Sequence, residues 1–157
     1  MKESSKFLFV IIIIVVFSIS AAIVTAFAVE GFVKGVVSGN TDVTMKNETF
    51  DGVTIAVPTT ANFTHDSGYY VDNRNRIVIQ VVNQGIPESE LQAYADVFAQ
   101  QGNLTRFNSS ALRNNAVAFI GPSNERIVLV SGSNQSVIIM ASSEELAFKM
   151  ANSAIFK

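Results

Sequence analysis

The chain has no cysteine and no tryptophan, a single histidine, and charged side chains at only 15% of its 157 positions. Without cysteine there is no disulfide framework, no thiol nucleophile, no Cys-based zinc site and no lipidated cysteine. With one histidine, any Ser-His-Asp arrangement must use His65. Eleven basic against thirteen acidic residues, a net charge of −2, leave no basic patch for nucleic acid and no acidic tail. No G-x-S-x-G elbow, phosphate loop, HExxH pair or dinucleotide fingerprint occurs. The expectation is a protein that is not an enzyme and that carries no cofactor.

What is present is apolar and unevenly placed. Residues 7–29, opening at Phe7 and closing at Val29, hold 20 of the chain's 76 apolar residues and no charge. Removing them leaves 56 apolar residues among 134, about 42%, which is ordinary for a soluble domain. Only Ser18, Ser20 and Thr25 interrupt the run, and each can bond its own helix backbone. As a helix it would be about 35 Å long, enough to cross a hydrocarbon core of about 30 Å. A core helix would show a polar face, and residues 10–17 have none. Lys2, Lys6 and the amino terminus place positive charge before the run, whereas Glu30 and a lone Lys34 follow it. Positive flanks stay cytoplasmic, so residues 1–6 are expected inside and the rest of the chain outside. Ala26-Phe27-Ala28 has the A-x-A form of a cleavage site, but the run exceeds the 7–15 residues of a signal h-region. An uncleaved signal-anchor is the expectation, and the membrane is the first expected partner.

Residues 30–48 read as a linker, with Gly31, Gly35 and Gly39 and the turn chemistry of Asn40-Thr41-Asp42. Residues 49–157 then form one α+β domain with a mainly antiparallel sheet of about six strands and two helices, in the order βββα-βββα. Phe50, Val53, Ile55 and Val57 suggest a first strand stopped by Pro58. Strands over 69–71 and 77–82 flank the polar loop Asp72-Asn73-Arg74-Asn75-Arg76. Pro87 opens a helix whose Leu91, Tyr94, Ala95 and Phe98 share one face, with Gly102 as its C-cap. Strands over 116–120, 126–130 and 136–141 follow, separated by Gly121-Pro122-Ser123-Asn124 and Ser131-Gly132-Ser133-Asn134. Ser142 with Glu145 resembles a capping box before a helix that buries Leu146, Ala147, Met150, Ala151 and Ala154. Residues 77–79, 127–130 and 137–140 are unbroken apolar runs. Alternate strand residues point to opposite faces, so both faces of these strands need cover. Helices on opposite faces, the long loops 59–68 and 103–115, or self-association could supply it; internal cover is the expectation.

Five Asn-x-Ser/Thr sequons begin at Asn47, Asn62, Asn103, Asn108 and Asn134, where chance would give about two. All are expected in linkers, loops or turns, where a glycosyltransferase could reach them. His65-Asp66-Ser67 is not a triad, since triad members meet through the fold, and His65 is read as an exposed loop residue. Asp72-Asn73-Arg74-Asn75 departs from calcium-loop spacing at Arg74, which leaves Asp66 or Asp72 as at most a loose surface ligand. The pairs Glu88/Glu90 and Glu144/Glu145 complement helix N-termini. Phe63, Tyr69 and Tyr70 are the candidate aromatic binding surface, aromatics being enriched in binding hot spots.

The order Met1-Lys2-Glu3-Ser4-Ser5-Lys6 before Ile11 to Ile14, with Phe50-Asp51-Gly52 opening the domain and Glu144-Glu145-Leu146-Ala147 in the last helix, resembles short membrane-anchored cell-surface proteins of methanogenic archaea. The likeness is one of layout and implies an anchor bearing a small α+β ectodomain. It carries over no site residues. The expected role is contact with the envelope or with a membrane-protein partner. An extracytoplasmic ligand-binding or sensory domain is the alternative, and a membrane-tethered hydrolase around His65 a weaker one.

Overall fold

The computed structural model describes residues 44–66 and 68–157. The expected cytoplasmic residues 1–6, the apolar run 7–29 and the linker as far as residue 43 lie outside the described residues. Among the described residues no helix is long and apolar enough to cross a membrane.

The domain is α+β and mainly antiparallel. A two-stranded ribbon, β1 (Met45–Phe50) and β2 (Val53–Pro58), precedes a seven-stranded sheet. The sheet contains β3 (Thr64–Asp66), β4 (Tyr69–Asp72), β5 (Ile77–Val82), β6 (Thr105–Phe107), β7 (Ala116–Ile120), β8 (Arg126–Ser131) and β9 (Ser136–Ala141). Its spatial order is β3-β4-β5-β9-β8-β7-β6, and every neighbouring pair is antiparallel. The helices are α1 (Leu91–Gly102), entered through a 3-10 turn at Glu88–Glu90, and α2 (Glu144–Ser153). The first meander ends at β5. The chain then passes through α1 to the far edge, and a second meander from β6 returns inward until β9 pairs with β5.

The strand count and the order both depart from expectation. The described residues form nine strands: the single strand expected over Phe50 to Val57 is a hairpin, and β3 and β6 are additional. Asp51 and Gly52 both adopt positive φ, +48° and +96°, and Phe50 pairs with Val53 across them. Two positive-φ residues define the tight turn whose twist suits a hairpin, and Asp-Gly is a preferred pair for it. The folded unit also begins before Thr49, since Met45 to Glu48 of the expected linker are already paired with β2. The short strands β3 and β6 occupy what the sequence suggests are loops.

The unbroken apolar runs are covered on both faces, by elements of the domain itself. One face carries Ile77, Ile79, Val128, Val130, Val137 and Ile139. The ribbon packs on it through Phe50, Val53, Ile55 and Val57, and α2 through Ala147, Met150 and Ala151. The other face carries Val78, Val117, Phe119, Ile127, Leu129, Ile138 and Met140 beneath Leu91, Ala95 and Phe98 of α1. Phe98 and Phe119 meet edge to face at 5.1 Å, a preferred aromatic geometry.

Two helix caps are shifted. Asn103, not Gly102, takes the left-handed C-cap of α1, with φ 52° and ψ 39°, a conformation that asparagine tolerates. Ser143, not Ser142, caps α2 by accepting from the Leu146 N–H at 3.3 Å. The third helical residue is therefore Leu146, and no capping box forms. Glu145 instead pairs with Lys149 at 3.4 Å.

Two-sided cover has a measurable consequence. Ile138 and Ile139 are adjacent in β9, face opposite ways and are 6% and 0% exposed. Ile138→Ala and Ile139→Ala are each expected to cost about 2–5 kcal/mol in chemical denaturation of residues 44–157. A sheet with one wet face would show the loss for only one of the two.

Candidate functional site

A concave surface of the domain lies where β6 parts from β7. Pairing stops at Phe107 opposite Ala118, and the chain detours before rejoining the sheet at Ala116. Between them is an open cleft of about 360 Å³ whose polar lining includes Gln92, Arg106, Asn108, Ser109, Arg113 and Asn114. Arg106 is held by α1: its Nη1 donates to Asp96 Oδ1 and to the Gln92 carbonyl. Arg113 donates from Nε to Asn115 Oδ1 and from Nη1 to the Ala154 carbonyl, both at 2.6 Å. Its backbone N–H donates to Asn152 Oδ1 at 3.0 Å, and Asn152 Nδ2 returns a bond to the Ala111 carbonyl at 2.8 Å. The detour is thus clamped to the end of α2. Those partners of Arg113 are neutral and orient its guanidinium, with which no carboxylate of the described residues pairs.

The cleft can bind but is poorly suited to proton transfer. Its lining offers amide, hydroxyl and guanidinium donors, and among the described residues contains no carboxylate and no imidazole. A second cleft of about 350 Å³ on the far side of the detour is lined by Ser109, Glu144, Glu145, Phe148, Lys149 and Asn152. Glu145 and Lys149 there pair with each other, and Glu144 lies 3.5 Å from Arg126 Nε. Neither cleft is legible in the sequence, which presents residues 103–115 only as a polar stretch. The nearest local signal is the cluster Asn108-Ser109-Ser110 with Arg113-Asn114-Asn115.

The three aromatic candidates do not form one surface. Tyr70 and Phe63 lie on the ribbon side of the sheet, where Phe50 packs edge to face on both at 5.0 Å. Tyr69 points to the α1 side and is 3% exposed. Its hydroxyl is buried with no hydrogen-bond partner among the described residues, and burial raises its pKa to about 12. The Tyr94 hydroxyl on α1 is pushed up to about 12 by the same cause. Tyr70 is raised as well, by burial first and then by donating to Asp51 Oδ1 at 2.8 Å beside that residue's charge. His65 is exposed, but it belongs to β3 and not to a loop, and it stacks on Tyr70 at 4.4 Å. It lines neither cleft.

The buried acids serve turns. Asp72 is 1% exposed, and its carboxylate accepts from the N–H groups of Arg74 and Asn75 and from Asn75 Nδ2. That closes the loop after β4 as an Asx-type turn. Glu125, unanticipated from sequence and also 1% exposed, accepts from Ser123 N–H at 2.9 Å. It rests against Gly121, where any larger side chain would overlap its carboxylate. Glu88 and Glu90 occupy the 3-10 turn before α1, and Glu144 and Glu145 the first turn of α2. Among the described residues no three His, Asp or Glu side chains are grouped so as to hold a metal ion.

All five sequon asparagines are exposed. Asn62 and Asn108 lie in loops, Asn103 at the α1 cap and Asn134 in the β8–β9 turn. Asn47 departs from expectation, standing within β1 and not in a linker.

Two measurements follow. Asp72→Ala removes a buried carboxylate that accepts from the part-buried N–H groups of Arg74 and Asn75 and is expected to cost about 1–3 kcal/mol in chemical denaturation, with Asp72→Asn losing less because one acceptor oxygen remains. The chain's three tyrosines are all raised above the ordinary 10.0. The folded state therefore holds their protons more tightly than the unfolded chain. Stability should be full below about pH 10 and fall as pH climbs towards about 12. Near-ultraviolet titration should show tyrosinate forming later in the folded domain than in denaturant. No protein-family model matches the chain, and no curated protein shows significant similarity to it.

Proposed function

We propose that this is a single-pass membrane protein that presents residues 44–157 outside the cell in a non-catalytic binding or structural role at the envelope. The observation that carries the reading is the uncharged run of 23 residues from Phe7 to Val29 behind Lys2 and Lys6. Its length matches a bilayer core, and its flanks set the N-terminus inside. Support for a non-catalytic role comes from where the reactive side chains are engaged. His65 stacks on Tyr70, Asp72 and one carboxylate oxygen of Glu125 hold turns, and the acidic pairs sit in first helical turns.

A second reading, a ligand-binding or sensory ectodomain, draws on one observation, the polar cleft beside Arg113. Its oriented charge and ring of donors suit a small anionic or polyhydroxylated ligand. The hydrolase reading has no comparable support, since His65 stacks on Tyr70 and lines neither of the two clefts described above.

The anchored reading is tested on native cells. Protease added outside should remove the domain and leave a membrane-embedded fragment containing residues 7–29, and alkaline carbonate should leave the intact protein in the membrane pellet. Digestion only after lysis would reverse the orientation and end the proposal. N-terminal sequencing of the membrane fraction should begin at Met1 or Lys2, and a chain starting at Val29 would replace the anchor with a cleaved signal.

A further inference from the structure

Among the described residues the two sheets leave three open edges. The seven-stranded sheet ends in β3 on one side and β6 on the other. In the ribbon, the second edge of β2 is already occupied. The Ala56 N–H donates to Ser153 Oγ at 2.8 Å, and Thr54 exchanges both backbone bonds with Ile155. The ribbon's remaining open edge is β1.

The sequons fall on these edges. Thr49, Thr64 and Thr105, third residues of the sequons at Asn47, Asn62 and Asn103, lie in β1, β3 and β6 respectively. Asn108 directly follows the last residue of β6. In these four sequons both the asparagine and the hydroxyl residue, including Ser110, are exposed. The fifth differs. Ser136 opens β9, an interior strand, is 1% exposed and donates its hydroxyl to the Gln84 carbonyl at 2.8 Å.

An open edge presents unpaired N–H and C=O groups that invite another chain to add as a strand. Proteins blunt such edges with charge, proline, bulges or brevity. Brevity applies to β3 and β6, at three residues each, but Arg106 of β6 is drawn to Asp96, and in β1 Lys46 is drawn to the Ala61 carbonyl and pairs with Glu48 of the same strand at 3.8 Å. We propose that N-glycans on Asn47, Asn62, Asn103 and Asn108 shield the three open edges and keep the domain from associating with copies of itself. The inference rests on the extracytoplasmic reading, because the glycan donor acts outside. In the modification, the asparagine Nδ2 attacks the anomeric carbon of a polyprenyl-phosphate-linked oligosaccharide. The C1–N bond forms, the C1–O bond to phosphate breaks, the polyprenyl phosphate leaves with the electron pair, and one amide proton passes to solvent. A bulky, hydrated chain then stands beside each edge.

The test uses the full-length chain from native membranes in detergent. Glycopeptide mapping should find glycans on the four edge sequons, and sedimentation should show a monomer over the accessible concentration range. Two variants break the same sequons while keeping every asparagine, including Asn103 at its helix cap. In T49A/T64A/T105A/S110A the edges are bare, and the dissociation constant for self-association should fall at least tenfold. In T49K/T64K/T105K/S110K the edges carry charge instead of glycan, and the monomer should return. N134Q should sediment as the wild type does. Alanine and lysine variants that behave alike, whether both monomeric or both associated, would overturn the shielding role while leaving the extracytoplasmic reading intact. An unmodified native protein overturns the shielding role as well. A domain that external protease cannot reach overturns both.

Discussion

The fold depends on a single demand: β5, β8 and β9 are apolar on both faces, so neither side of the central sheet can face water. In β9 all six residues are buried. Burying a Val, Leu or Ile side chain contributes about 1.5–3 kcal/mol, so a bare face across three central strands would cost much of a small domain's net stability. The topology meets the demand with two different covers. The α1 connection crosses one face on its way to the far edge, and the ribbon with α2 closes the other. Each helix is placed by the sheet rather than by its own propensity, and both helices are short enough to be marginal alone.

What could be read from the sequence follows from the same demand. The runs at 77–79, 127–130 and 137–140 are strong because two-sided burial leaves them no polar alternation, and they mark the sheet centre and the need for internal cover. The helix stripes are legible for a similar reason, although Phe148 of α2 is buried beside the expected stripe. The edges are another matter. Thr64-His65-Asp66 and Thr105-Arg106-Phe107 are too short and too polar to show a period of two, so they read as loop. The hairpin at Asp51-Gly52 has a local signal, a turn pair before the alternating Val53, Ile55 and Val57, and the step of three from Phe50 to Val53 breaks their period of two; β1, with only Met45 and Phe50 apolar, does not read as a strand of its own. The cap at Ser143 was ambiguous by one residue because two serines precede α2.

The candidate site was least legible because it belongs to no single segment. The cleft exists only because β6 leaves β7 early and because Arg113 and Asn152, far apart in the chain, bind the detour to α2. Neither residue type in isolation signals a site. The aromatic candidates show the converse failure: Tyr69 and Tyr70 are adjacent in sequence, and strand geometry sends them to opposite faces. Adjacency within a strand separates side chains, whereas packing between distant segments unites them. The polar chemistry of the domain is spent largely on holding turns, as at Asp72 and Glu125.

The ribbon has a mechanical aspect. The chain enters the domain at Met45, opposite Pro58 and at the ribbon end remote from the Asp51-Gly52 turn. Tension arriving from the N-terminal side would load the β1–β2 pairs one after another, as a zipper is opened, and not all together as in shear. β2 itself is tethered to Ile155 and to Ser153. Pairs near Met45 would therefore open before those near Phe50, whose buried ring fixes the far end of β1 to the core.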